Sequence, residues 1–345
     1  MTIRVKKDRI EFVSDEGTTY TLRETGDGFS FDGVIEASNL DLNLQATLLS
    51  IFQGSISGYT AGGSEVPTVN TIDKFSFVSD ANATDVGDLT TTGNYSMSGQ
   101  SSSSHGYKAG AFPRSPTNSN VQKWQYSSDA NATDVGNLTV PINSGSGQSS
   151  STSGYHSGGF VPPGVNTIDK FPFAVDTNAT DIGDLTQGRH DLSGQSSSVA
   201  GYTSGGVPGA VNTIDKFSFA VDTNASDVGD LSNEKGGTSG QSSQFHGYVS
   251  GGFVPILSPT IINSIDKFPF ASDTNATVVG NLTQARIRSA GQSSVVSGYA
   301  SGGQAPSFSN VIDKFPFANE SVSTDVGDLT SARTAAAGTQ SGGGV

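Results

Sequence analysis

A four-residue block, Ile-Asp-Lys-Phe, recurs along the chain at Ile72, Ile168, Ile214, Ile265 and Ile312. A degenerate copy, Val121-Gln122-Lys123-Trp124, fills the one gap in the series. The lysines of the block, Lys74, Lys123, Lys170, Lys216, Lys267 and Lys314, are separated by 49, 47, 46, 51 and 47 residues. Self-similarity at a period of about 48 residues restricts the chain to a solenoid, a propeller or an array of small units.

Each copy holds four strand-length segments. In the clearest copy they are Ser193 to Ser198, Gly201 to Gly206, Val211 to Phe219 and Ser226 to Leu231, with turn residues at every junction. No window carries a convincing 3.6-residue period. Four short strands per repeat of this length read as one propeller blade. The first segment of each copy is nearly all Ser, Gly and Gln. That suits the innermost strand of a wedge-shaped blade, where there is little room.

The ends of the chain agree with a closed ring. The last repeat stops at Arg333 to Ser341, a first strand with no second strand after it. The first repeat begins at Gly58 to Gly63, a second strand with no first strand before it. Paired, the two halves make one blade and remove the exposed edges an open sheet would leave. The expected fold is therefore all-β: a six-bladed propeller over residues 53–345, closed by pairing of its terminal strands.

Composition narrows the function. Apolar residues make up 33% and charged residues 14%, with 44 glycines, which alone would fit a flexible chain. The 19 Phe, 9 Tyr and one Trp are too regularly placed for that. A net charge of −14 disfavours nucleic acid as a partner, because phosphate binding needs clustered Lys and Arg. With no cysteine, disulfides, thiolate metal sites and cysteine nucleophiles are excluded. The first residues lack the apolar stretch of a signal peptide and no segment approaches 18 consecutive apolar residues, so synthesis in a cytosol and no membrane insertion are expected.

Within the repeat, a Gly-Gly ending the second strand, an aromatic in the third, a Leu closing the fourth and an Arg (Arg189, Arg286, Arg333) before the next inner strand resemble the kelch repeat from about Gly54 to Val345. The usual kelch Trp of the fourth strand is replaced by Val86, Ile182 and Val326, so no kelch ligand site is carried over. The strings Ile-Asp-Lys-Phe-Pro-Phe-Ala, Asn-Ala-Thr-Asp-Val-Gly-Asp-Leu-Thr and Gly-Gln-Ser-Ser resemble repeats in virion structural proteins of marine tailed phages, cyanophages above all. The resemblance implies a tail-fibre-like protein made in a bacterial host cytoplasm and carried on the virion. It also implies homo-oligomers on the particle, contacts with other virion proteins and host attachment, with a host-surface glycan as a candidate ligand.

Residues 1–52 have no counterpart in the repeat. Ile10 to Val13, Thr19 to Leu22 and Phe29 to Val34 read as strands of a small β module, expected to anchor the protein to another subunit.

A residue present in every blade is scaffolding before it is a site. Asp73 and Lys74, Asp169 and Lys170, Asp215 and Lys216, Asp266 and Lys267, and Asp313 and Lys314 alternate across the third strand. They are expected to form a ring of Asp–Lys contacts between blades. The Asp-x-Asn turns such as Asp80-Ala81-Asn82 faintly resemble a calcium loop but lack its sixth-position Gly and distal Glu. No metal, cofactor or catalytic residue is assigned, since no Ser-His-Asp set or carboxylate pair stands out.

What differs between blades points to contact surfaces. The connection from Phe253 to Ser264 is twelve residues long and strongly apolar, with Phe253, Val254, Ile256 and Leu257 at its start. The second blade carries Trp124 where others have Phe, and Tyr95, Phe112 and Arg114 in its loops. These eight residues are the candidate interaction residues. A non-enzymatic virion protein is the expected function. A cellular carbohydrate-binding or glycan-modifying propeller and a cytosolic interaction scaffold are the alternatives.

Overall fold

The computed structural model describes residues 2–5, 9–13, 19–25, 28–32, 54–65, 69–91, 95–113, 119–208, 211–254, 260–319 and 322–341. The chain divides into two units, Met1–Leu49 and Ser50–Val345. In the first unit, strands Thr2–Val5, Arg9–Val13, Thr19–Thr25 and Gly28–Asp32 pair in sequence order as an antiparallel meander. Thr2–Val5 is an edge strand that the sequence pattern does not announce.

The second unit is a six-bladed propeller of four-stranded antiparallel sheets. In blade 4 the strands run Ser193–Ser196, Ala200–Ser204, Thr213–Ser218 and Ser226–Asp230 from the axis outward. Blade 1 is closed as expected. The terminal strand Ala337–Ser341 pairs with Ser57–Ala61 and becomes the innermost strand beside Thr71–Ser76 and Thr84–Asp88. Among the described residues, only blade 5 has an extra two-stranded pair, Phe253–Val254 with Thr260–Ile261, in the connection between its second and third strands.

A propeller strand touches a neighbouring blade on both faces, so the ordinary apolar-in, polar-out alternation disappears. In Thr71–Ser76 the buried residues are Ile72, Asp73 and Phe75. Asp73 and Phe75 face the preceding blade, and Ile72 and Lys74 the following one. The aromatic pattern follows from this. At every blade interface the second-strand Tyr stacks on a ring of the next blade, with centroids 4.7–4.8 Å apart: Tyr59 on Tyr126, Tyr107 on Phe173, Tyr155 on Phe219, Tyr202 on Phe270, Tyr248 on Phe317 and Tyr299 on Phe77. Such stacked pairs contribute about 0.5–1.5 kcal/mol each beyond their buried area.

At the axis the inner strands meet through glycine. A Cβ on Gly99, Gly147, Gly194, Gly240, Gly291 or Gly338 would lie 2.1–2.3 Å from the carbonyl oxygen of the equivalent glycine one blade back. The six glycines close a circle that no side chain fits. Beside this circle, each inner-strand Gln of blades 2 to 6 donates from Nε2 to the second-strand Tyr carbonyl of the next blade, as Gln148 does to Tyr202 at 3.0 Å.

The third-strand Asp and Lys do make contacts between blades, but not with each other. Lys74, Lys123, Lys170, Lys216 and Lys314 each reach the turn Asp of the next blade: Asp129, Asp176, Asp222, Asp273 and Asp80, at 2.6–3.0 Å. The Asp on the opposite strand face reaches back. Asp215 accepts hydrogen bonds from the Thr186 amide and hydroxyl and pairs with Arg189 at 2.8 Å. Asp73 does the same with Thr330 and Arg333, Asp313 with Thr283 and Arg286, and Asp266 with Ser232 and Lys235. The expected ring of Asp–Lys contacts is therefore corrected to two rings. Strand alternation points adjacent residues at different blades, so neither meets the other.

The Asp-x-Asn turns are built into the outer ring. The turn Asp holds the preceding blade's Lys, and the turn Asn accepts that blade's fourth-strand amide, as Asn224 does from Asp184 at 3.1 Å. The calcium-like spacing is thus used for contacts between blades.

Candidate functional site

The ring has two unlike faces. The loop face carries the connections between fourth and first strands and between second and third strands. The turn face carries the tighter connections between first and second and between third and fourth strands.

At the centre of the loop face the six chains entering the inner strands form a closed backbone circle. Ser96, Ser144, Asp191, Gly237, Arg288 and Ala335 all have φ between 53° and 63°. The amide of each donates to the carbonyl of its counterpart one blade back, at 2.7–2.8 Å. Left-handed backbone is unfavourable for every one of these residues but Gly237. The cooperative circle of hydrogen bonds compensates by satisfying six amides that the narrow axis would otherwise leave unpaired.

Side chains from this circle line a shallow cavity of about 70 Å³. Arg288 reaches across Gly237 to Asp191 in a bidentate pair, Nε to Oδ1 at 3.0 Å and Nη2 to Oδ2 at 2.8 Å. His190 Nδ1 lies 3.3 Å from the same carboxylate, and its ring packs edge-on against Phe160. Burial pushes the Asp191 carboxyl up, but hydrogen bonds from His190 and Arg288 outweigh it and hold the group below its usual range. The bond to Asp191 raises Arg288. The pair is thus charged on both sides and neutral in sum. Ser96, Ser144, Thr238 and Ser289 add hydroxyls to the lining. The Thr238 hydroxyl is buried and has no hydrogen-bond partner.

The residues singled out from the sequence fall in three places. Tyr95 and Phe112 pair on the loop face, bridged through their backbones with ring centroids 5.0 Å apart, and Phe112 is exposed. Phe253 and Val254 lie on the same face of blade 5, half-buried; Phe253 bridges Gly236 and covers Gly236 and Gly237 of its own blade. Arg114, Ile256 and Leu257 lie outside the described residues. Trp124 is corrected. It is 2% exposed and fills, in blade 2, the core place that Phe75 fills in blade 1. The substitution is a packing exchange between blades, with Tyr126 standing where the others have their second Phe.

Sequence reasoning missed Asp191 and Arg288. They stand two residues after Arg189 and Arg286, at a register where the six blades carry five residue types. A fixed register with variable identity, set directly behind a repeated residue, is the signal that marks the position.

No family model matches the sequence, and no curated protein matches it. Solved structures do. One, described as the structure of YjhT, aligns with a TM-score of 0.59 over 71% of this chain and 87% of that one, at 11% sequence identity. Such identity speaks to architecture alone. The second unit is a β-propeller of six blades.

Proposed function

We propose that the chain is a non-enzymatic structural protein of a tailed phage virion, its propeller presenting loops to a partner subunit or host surface and its N-terminal module anchoring it to the particle. The resemblance of the repeat strings to those of cyanophage virion proteins supports this assignment. The observation that carries it is the polarity of the ring. Among the described residues of the propeller, most exposed large apolar side chains, Val78, Val199, Phe245 and Val296 among them, belong to the turn face. The chain also enters on that face, where Gly54 pairs with Ser294 between blades 1 and 6. The loop face holds the aromatic pair of blade 2 and the charged axial mouth. In this reading the turn face looks toward the particle and the loop face away from it.

The use of ionisable groups supports a non-enzymatic role. The buried carboxylates of blades 1, 4, 5 and 6 are tied to a buried cation, and Asp191 is tied to Arg288. Groups neutralised in this way are poor general acids and bases.

Proteomics and immuno-electron microscopy on purified particles from the source lysate test the reading. Labelling at one defined position supports it, and label at the tail tip favours host attachment over decoration. Absence from the particles rejects it in favour of a cellular carbohydrate-binding propeller.

A further inference from the structure

We propose that the axial mouth of the loop face binds a single neutral sugar residue, as at the end of a glycan chain. The inference deepens the reading of the loop face as a contact surface and does not depend on the virion role. The amides of Ser96, Ser144, Asp191, Gly237, Arg288 and Ala335 are spent on the closed circle, and the charged side chains of the lining are Asp191 and Arg288. Arg288 uses Nε and Nη2 on Asp191, and its side chain is 39% exposed, leaving further N–H donors toward solvent. Asp191 Oδ2 accepts from both Arg288 and His190, while Oδ1 accepts from Arg288 alone and retains acceptor capacity. A donor and an acceptor held side by side match a pair of vicinal hydroxyls, each of which donates and accepts.

Charge selects against the other small ligands. The Asp191–Arg288 pair sums to zero, so an anion meets the carboxylate and a cation meets the guanidinium. A polyhydroxyl ligand meets neither penalty. Thr238 lines the same cavity, and its hydroxyl, closed off from solvent and without a partner, gains one on rotating toward a ligand in the mouth. The cavity, at about 70 Å³, admits part of one pyranose ring and no larger unit. Beyond it on the loop face lie the Tyr95–Phe112 and Phe160–His190 ring pairs, apolar surfaces that suit the C–H faces of a sugar.

The test is a printed array of bacterial surface oligosaccharides probed with the full chain, with free glucose, galactose and rhamnose as competitors. The variants are Asp191→Asn, the near-isosteric Thr238→Val, and Phe245→Ser on the turn face. The expected result is retention on glycans with a neutral terminal sugar and displacement by one of the free sugars. Binding should weaken at least about tenfold in Asp191→Asn and several-fold in Thr238→Val, and stay unchanged in Phe245→Ser. Should Asp191→Asn fail to fold, judged by its melting curve, Thr238→Val carries the test alone. No retention on the array overturns the site, as does binding that both mouth variants leave intact or that Phe245→Ser abolishes. A chain that labels particles but binds no glycan loses this site and keeps the virion role. One that binds glycan through the mouth but is absent from particles loses the virion role and keeps the site.

Discussion

Blades 4 and 3 are built from the same four strands in the same register, yet they bury their third-strand aspartate in different company. In blade 4, Asp215 meets Arg189, whose Nη1 and Nη2 also donate to the carbonyls of Thr203, Gly205 and Thr213. In blade 3 the arginine's place is taken by Ile142, and Asp169 is left with the amide and hydroxyl of Thr139. Burial pushes Asp169 above the usual carboxylate range. Blade 2 carries the complementary change. Gln122 replaces the Asp, and the buried cation is Lys108, which enters from the second strand to hydrogen-bond Asn120. Burial pushes Lys108 down to about 7. A buried ion pair is weak evidence of stability, because desolvation offsets much of the attraction. Two neighbouring blades without one show that the ring does not need six. What all six share is the glycine circle at the axis and the backbone circle at its mouth, with a stacked ring pair at every interface.

The comparison is broken first at the glycine circle. Gly194→Ala places a Cβ 2.2 Å from the Gly147 carbonyl oxygen and 2.9 Å from Gln148 Nε2, and the nearer neighbour is backbone that cannot swing aside. The expected loss is about 3 kcal/mol or failure to fold, and it should be alike for Gly147→Ala in blade 3. Urea unfolding of the two variants measures it. A mild effect in either would mean that the inner strands slide apart easily, and that the ion pairs matter more than argued.

Next comes the ion pair itself. Asp215→Ala leaves the Arg189 guanidinium buried and uncompensated, for an expected cost of about 3–5 kcal/mol. Asp169→Asn removes a carboxylate that has no cation and keeps an acceptor for Thr139, so its stability should stay within about 1 kcal/mol of the parent at neutral pH. Asp169→Ala also orphans the Thr139 amide and should cost more than Asp169→Asn, about 1–3 kcal/mol. Equal losses for Asp215→Ala and Asp169→Asn would erase the distinction between the blades.

How much of this was legible in the residues depends on whether a contact repeats. The blades, their number, the closing strand pair and the role of Ser-Gly-Gln-Ser at the axis follow from spacing and size, because six copies repeat the same constraint. The partners of Asp and Lys were not legible. The alternation that separates them is visible along one strand, but which blade each face meets depends on the handedness of the ring. Trp124 read as a surface aromatic because its blade is degenerate, whereas the interior accepts Trp and Tyr where it accepts Phe-x-Phe. The mouth was hidden for the opposite reason. Its geometry is made by backbone φ and carbonyls, so Ser, Asp, Gly, Arg and Ala all serve, and only Asp191 and Arg288 bring chemistry to it.

The lone buried bases of blades 2 and 3 sharpen the contrast through pH. Lys108 binds its proton with a pKa of about 7 in the fold and near 10.4 when unfolded. Between those values the unfolded chain holds more protons, so this group makes stability rise with pH from about 7 to about 10. His156, bonded through Nδ1 to the Ser98 hydroxyl at 2.7 Å, is pushed by burial down to about 4. By the same sign it makes stability fall as pH drops from about 6.5 to 4. Each group supplies a slope of at most about 1.4 kcal/mol per pH unit. Lys108→Met should flatten the upper window and His156→Gln the lower, read as urea midpoints across pH. The paired blades offer a control, since Arg189→Lys should leave the slope in the lower window in place. A Lys108→Met variant with the parent's slope above pH 7 would mean that a water or an acid neutralises Lys108 in solution.

The smallest effect belongs to the outermost ring. Lys170 and Asp222 lie 2.8 Å apart but are 28% and 53% exposed, so solvent screens the pair and two long side chains must be held to make it. Lys170→Ala should cost about 0.5 kcal/mol, and the cost should vanish at molar salt as the Debye length shrinks to about 3 Å. Lys170 stands opposite Tyr155 in the strand register, so the same substitution also takes hydrocarbon away from beside the Tyr155–Phe219 stack, whose contribution salt does not screen. A loss near 2 kcal/mol that persists in molar salt would show that the repeated lysine serves the ring as a hydrocarbon lid over the aromatic stack rather than as a charge. The Ile-Asp-Lys-Phe block would then owe its lysine to packing, as it owes its phenylalanine.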